Sequence, residues 1–228
     1  MTKAHLKRIN APKQWKLLRK DKKFVTRPNP GPHSFSMAMP LGLAIRQLGL
    51  ANNRREVVFL LNTQEVFVDW RRKKDLKSQI GFLDTLSIPK QNIYYRMLFD
   101  KKGKLCFKKT DEKDSVLKIS KIVNKTQNKG KTQLGTLDGR NIIVENGKNY
   151  SVGDSVLFEL PEQKIKSVLK MEKGKTILLY KGKFTGNIAT IEKIEGKNLL
   201  FKINEEKFQT DKNFAIVVGE DKPLITLS

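Results

Sequence analysis

Beyond residue 90 the apolar residues come in short runs and the helical signal largely disappears, so the second half of the chain is expected to consist mainly of strands and turns. IYYRMLF (93–99), KLCF (104–107), NIIV (141–144), SVLFEL (155–160), TILLY (176–180), IATI (188–191), LLFKI (199–203) and FAIVV (214–218) are rich in β-branched and aromatic residues. The pairs Lys102-Gly103, Asp138-Gly139, Asn146-Gly147 and Glu195-Gly196 punctuate them as turn signals. Segments of this length pair as antiparallel hairpins and close into small barrels.

The stretch before residue 90 follows a different rule. Leu41, Ala44, Ile45 and Leu48 fall at the spacing of one helical face, and Gly49 is placed to end that helix. A second short helix is expected to start at Asn53, with Glu56 completing a capping box and Val57, Val58, Leu60 and Leu61 on its buried side. A strand EVFVD (65–69), four consecutive cations from Arg71 to Lys74 and a second strand DTLSI (84–88) follow. Upstream, residues 1–40 carry Pro12, Pro28, Pro30 and Pro32, which forbid a long helix. The expectation there is a basic extended arm that orders on a phosphate surface.

Charge decides what such a chain can bind. The 46 Lys and Arg against 23 Asp and Glu give a net charge of +23 among 228 residues. Charge on that scale repels itself unless a polyanion neutralises it, and nucleic acid is the polyanion that fits a chain with no apolar run long enough to span a membrane. The excess is densest in residues 1–40, with 10 cations and 1 anion. Cys106 is the single cysteine, so no internal disulfide or cysteine-based zinc site forms, and a reducing cytoplasm is expected. His5 and His33 both lie in the basic tract, leaving no histidine cluster for a metal. No catalytic constellation assembles, no cofactor is implied and no catalytic residue is assigned.

Two motifs have plainer explanations. KGKT at 129–132 and 173–176 lacks the first glycine of a phosphate-binding loop and reads as basic turns. Asp138 in TLDGR is a candidate acid for an RNA-modifying enzyme, but Asp-Gly between β-type runs is first of all a two-residue hairpin signal.

Helix, tight turn, helix and a strand reading VFVD, followed by basic residues and DTLSI, resemble the S-four-type RNA-binding fold. AHLKRINAPKQW (4–15) and RPNPGPH (27–33) are similar to the N-terminal arm of the archaeal and eukaryotic S-four-e (S4e) family of small-subunit ribosomal proteins, and YKGKFTGNIATIEKI (180–194) to that family's KOW module. The chain departs from the pattern at Trp70, where a turn glycine is common, and it ends at Ser228 without the basic extension of eukaryotic members.

The resemblance implies a multi-domain α+β protein: a basic arm (1–40), an S-four-type domain (41–90), a central β-rich domain (91–172) and an SH3-like KOW barrel (173–228). It implies a structural, non-enzymatic, ribosomal constituent whose partners are small-subunit rRNA and neighbouring ribosomal proteins, with no membrane contact and no homo-oligomer. The expected RNA-binding residues are His5, Lys7, Arg8, Lys13, Trp15, Lys16, Arg27 and His33 in the arm; Arg46, Arg54, Arg55, Trp70, Arg71, Arg72, Lys73 and Lys74 in the S-four-type domain; and Lys181, Lys183 and Phe184 near the end. Trp15, Trp70 and Phe184 are candidates either to stack on unpaired bases or to sit in cores. The rival readings are an RNA-modifying enzyme with an appended RNA-binding domain and a transient KOW-containing translation or transcription factor.

Overall fold

The computed structural model describes residues 5–128, 130–204 and 206–227. The first four residues of the expected arm and Lys129, which heads the first KGKT copy, lie outside the described residues. The chain divides into two compact units, one built from residues up to Leu98 together with Lys104–Val116, the other from Phe99–Gly103 and the chain from Leu117 onward.

In the first unit a small hairpin pairs β1 (Leu6–Lys7) with β2 (Phe24–Val25). β3 (Ala38–Pro40) runs directly into α1 (Leu41–Gln47), where Pro40 supplies the extended residue before the first turn. α2 (Arg54–Thr63) begins as its capping residues dictate: Asn53 Oδ1 accepts the Glu56 amide at 3.0 Å, and the Glu56 carboxylate accepts the Asn52 amide at 2.7 Å. Its buried face is Val57, Leu60 and Leu61. Val58, expected on that face, is exposed, because at about 100° per residue it rotates away from a stripe centred on Leu61. β4 (Phe67–Val68), β5 (Arg71–Arg72), β6 (Gln79–Gly81), β7 (Thr85–Ile88), β8 (Ile93–Phe99) and β9 (Leu105–Lys109) follow, then the short α3 (Glu112–Ser115). Five of these strands form one sheet in the order β5-β4-β7-β8-β9, and β6 pairs with β3.

The arm is folded, not extended. Trp15 is 1% exposed and its indole Nε1 donates to the Ala38 carbonyl at 2.7 Å. Arg19 clamps the carbonyls of Ile9 and Ala11 at 2.7 and 3.1 Å, and the Asn29 amide donates to the Lys77 carbonyl at 2.9 Å. The prolines exclude a helix, but they leave backbone groups free to pair with neighbouring segments. One buried indole removes about 150–250 Å² from water, more than any single aliphatic anchor would.

In the second unit, β10 (Leu117–Asn128), β11 (Lys131–Thr136), β12 (Asn141–Val144), β13 (Ser155–Glu159) and β14 (Lys164–Leu169) form an antiparallel sheet in the order β12-β11-β10-β13-β14. A second antiparallel sheet joins β15 (Thr176–Leu179), β16 (Ile188–Glu195), β17 (Asn198–Ile203), β18 (Glu206–Asp211) and β19 (Ala215–Gly219) in the order β18-β17-β16-β15-β19. The buried Lys121 ties them together, its Nζ donating at 2.8 Å to the carbonyls of both Lys212 and Ala215. Ser155 Oγ accepts the Val217 amide across the same seam.

Two turn expectations change. Asp138-Gly139 sits in a four-residue connection between β11 and β12 rather than a two-residue hairpin, with the Thr136 amide donating to the Arg140 carbonyl at 2.9 Å. Asn146-Gly147 is no hairpin turn: Gly147 opens a short 3-10 segment, and a Cβ there would lie 2.2 Å from Thr132 Oγ1. The glycine is required by packing, not by a left-handed backbone.

Candidate nucleic-acid interface

The EVFVDWRRKK segment forms a tight hairpin in which Val68 faces Arg71 and Phe67 faces Arg72. Val66 and Val68 are buried, while Arg71, Arg72 and Lys74 are exposed. The turn residues Asp69 and Trp70 both take left-handed backbone, at φ 51° and 59°, which is the primed geometry that matches strand twist and ordinarily selects Asn or Gly. Their side chains explain the exception. Asp69 Oδ1 accepts the Thr85 amide at 3.0 Å, and the Trp70 indole donates to the Ser115 carbonyl at 3.2 Å. The same indole stacks on Tyr94, with centroids 6.5 Å apart. Trp70 is thus half-buried in the fold, and the cations beyond it start from a fixed point.

Two clefts in this unit gather a further set of cations. The first, of about 310 Å³, is rimmed by Arg8, Lys22, Arg46 and Arg54. Its apolar lining comes from Phe24, Val25, Leu43, Val57 and Leu76. Gly42 lines it as well; a Cβ there would lie 3.2 Å from that of Leu76. Arg8 is held by Asp21 at 2.9 Å, and Arg46 donates from Nε to the Asn52 carbonyl at 3.1 Å, so both guanidinium groups are oriented before any ligand arrives. Arg54 is the first residue of α2, where free amides and the helix dipole favour an anion. The second cleft, about 420 Å³, is lined by His5, Leu6, Lys7, Asn10, Arg27 and Phe35. Lys13, Lys16 and Arg55 are exposed outside both clefts.

Two expected contacts are corrected. Trp15 is a core residue, and His33 is buried with Nε2 at 3.0 and 2.9 Å from the two Asp84 carboxylate oxygens. A Cβ on Gly81 would lie 2.3 Å from that imidazole, so the ring fills a slot made by a glycine. Neither side chain reaches the surface, since each found a partner whose position is set by tertiary packing. In the second unit Lys181 and Lys183 are exposed on the loop after β15, whereas Phe184 packs against Phe201 and Phe208 at 5.4 and 4.6 Å. Phe184 is therefore a member of an aromatic cluster.

Asp138 is likewise structural. Burial raises its pKa, but the Lys118 ammonium, hydrogen bonds from Thr136 and Ser120 and the Arg140 guanidinium outweigh that and bring it down to about 2. A carboxylate saturated in this way is held ionised and has no proton to exchange near neutrality. Among the described residues no group of His, Cys, Asp and Glu is arranged to hold a metal ion, and no helix is long and apolar enough to cross a membrane.

Lys22 and Phe24 lie in the first cleft and were missed in the sequence. The signal was present in KDKKF (20–24), an aromatic residue set among cations.

Known proteins place these features in a family. Residues 2–36 match the model of the RS4NT (NUC023) domain and residues 91–165 that of Ribosomal family S4e. The small ribosomal subunit protein eS4 of Methanosphaera stadtmanae is 40% identical over 231 residues, which cover 98% of this chain and 95% of that protein. The chain belongs to the S4e family. The eS4 protein of Methanocaldococcus jannaschii is also 40% identical, over 99% of this chain and 98% of its own length. The crystal structure of 30S ribosomal protein S4e from Thermoplasma acidophilum superposes with a TM-score of 0.72 at 29% identity, covering 84% of this chain and 99% of that one. The S4e fold is thus the multi-domain α+β arrangement described above, with β structure predominant.

Proposed function

We propose that this S4e chain is a structural constituent of the small ribosomal subunit, located on the cytoplasmic ribosome, where it holds folded rRNA by phosphate contacts and touches neighbouring ribosomal proteins. The observation that carries this reading is the end-to-end likeness to proteins named small ribosomal subunit protein eS4, on a chain whose net charge is +23. Arg71, Arg72, Lys73 and Lys74 on the rigid hairpin, Arg8, Arg46 and Arg54 at the first cleft, and His5, Lys7 and Arg27 at the second are the residues assigned to the RNA backbone. Arg55, Lys13 and Lys16 extend that surface. The β15–β19 sheet is assigned as the KOW-type, SH3-like module, presenting Lys181 and Lys183. Affinity then comes from neutralised phosphates and specificity from the shape of the rRNA, because A-form grooves hide most base edges. No chemistry is required of the protein.

Sedimentation of a cell lysate through gradients at low and high salt tests this. The chain is expected to travel with the small subunit at low salt; a chain found only at the top of both gradients would overturn the assignment.

A further inference from the structure

The first cleft sets its cations around an apolar lining of Phe24, Val25, Leu43, Val57 and Leu76. A duplex presents phosphates to a protein and keeps its base faces stacked inside, so it gains nothing from an apolar surface and leaves that surface facing water. An unpaired nucleotide has both a phosphate and an open aromatic face. Phe24 meets that description on the protein side: it lines the cleft yet is 50% exposed, with Lys23 Nζ 5.5 Å from its ring centroid and the His5 ring edge-on at 5.5 Å. A cleft of about 310 Å³ is at the small end for a bound ligand, of a size for one nucleotide and too small for a helix strand.

We infer that the cleft between the β1–β2 hairpin and the two helices captures a single unpaired nucleotide, its base stacked on Phe24 and its flanking phosphates on Arg8, Arg46 and Arg54. A second feature points to an anion there. Arg8 has a side chain 12% exposed and spends one guanidinium nitrogen on Asp21, while its buried Nε has no hydrogen-bond partner. The pairing with Asp21 orients the group without saturating it. Folding of the arm is what creates the site, since Arg8, Lys22 and Phe24 come from the hairpin and Leu43, Arg46 and Arg54 from α1 and α2.

This inference rests on the rRNA-binding reading, and the experiment separates the two. The full chain is titrated with a short single-stranded oligoribonucleotide and with a fully paired, blunt-ended two-strand RNA duplex, and its association with small-subunit rRNA is followed in parallel. Phe24→Ala is expected to weaken the single-stranded oligonucleotide by about 5- to 150-fold, the range of one base–aromatic stack, and to leave the paired RNA unchanged. Phe24→Tyr, which keeps the ring, restores the affinity. Arg54→Gln weakens the single strand as well and lowers its salt dependence. The inference is overturned if the unchanged chain does not bind the single strand, if Phe24→Ala binds it as tightly as the unchanged chain does, or if both RNAs weaken in equal proportion. In each of those outcomes, retained association with rRNA leaves the wider reading standing. Loss of rRNA association by the unchanged chain overturns that reading itself.

Discussion

The turn at Asp69-Trp70 makes a prediction whose sign is unusual. In the interior of a strand, glycine is less favourable than alanine by about 0.5–1 kcal/mol, because its backbone loses more freedom on folding. At Trp70 the backbone is left-handed, with φ at 59°, where a residue bearing a Cβ is penalised by about 1 kcal/mol or more. Removing the half-buried indole forfeits about half of the 3–5 kcal/mol that a fully buried tryptophan is worth, and its hydrogen bond to the Ser115 carbonyl adds about 1 kcal/mol. Trp70→Ala loses these contacts and keeps the strain, for a cost of about 3 kcal/mol. Trp70→Gly loses the same contacts but relieves the strain, for about 2 kcal/mol.

The chain supplies its own reporter for this comparison. It has two tryptophans, and with Trp70 replaced the remaining Trp15 is buried in the core of the same unit. Its emission during urea unfolding reads the stability of that unit alone. The glycine variant should unfold at a higher midpoint than the alanine variant, by about 0.5 M for an unfolding slope of about 2 kcal/mol per molar. An alanine variant as stable as the glycine variant, or more so, would refute the strained-turn account.

Replacing Arg71 and Arg72 together with alanine should weaken small-subunit rRNA binding and lower the salt slope by about 0.7–0.9 for each lost phosphate contact, with the urea midpoint nearly unmoved because exposed cations add little to folding; filter binding across a salt series measures it. Val66→Asp should do the reverse, unfolding the first unit by burying an unpaired charge, and Trp15 emission would show that before any RNA is added. Asp138 has a folded pKa of about 2 against an ordinary 3.8, so the stability it gives the second unit is complete above about pH 4 and lost as pH falls toward 2, amounting to about 2 kcal/mol. Asp138→Asn should cost about 3 kcal/mol or more near neutrality, since Lys118 stays buried beside it, and should flatten that acid transition in circular dichroism.

The elements that could be read from the sequence are those whose local chemistry agrees with their tertiary setting. α2 begins at the residue its capping box names, and NIIV at 141–144 matches β12 residue for residue. β10 and β18 gave no such signal. LKISKIVNKTQN and EKFQTD alternate with lysines and polar groups that resemble a solvated loop until a partner strand is present. Trp15 and His33 were placed on the RNA side because they lie in a basic tract, and sequence neighbourhood cannot reveal that Ala38 and Asp84 wait for them. At the interface the hairpin cations were legible as a run. The cleft was not, because its rim is assembled from residues as far apart as Arg8 and Arg54.

Buried cations carry the same lesson further. Arg96 and Lys118 are essentially without exposure, and Lys121 is 3% exposed, so these three contribute to the net charge that pointed to nucleic acid while facing no ligand. Each is answered from within. Arg96 donates to the Asp114 carbonyl at 2.7 Å, with burial pulling its pKa down while Asp114, Asp69 and Asp84 hold it up. Lys118 lies 3.3 Å from Asp138. Lys121, brought down to about 8 chiefly by burial, spends its protons on two carbonyls at the seam between the sheets. Lysine is cheap to recruit for such work in a chain already selected for cations, but an ammonium group inside a protein fixes geometry only where oxygen atoms converge on it. At this seam the lysine does in one side chain what a hydrophobic residue cannot, bonding the 3-10 turn before β19 and the first residue of β19 to β10 at once. The cations of this chain therefore include two populations, one exposed on the hairpin and at the clefts, where the proposed function assigns them to phosphate, the other turned inward and already neutralised or hydrogen-bonded. Only the outward one should appear in the salt dependence of RNA binding.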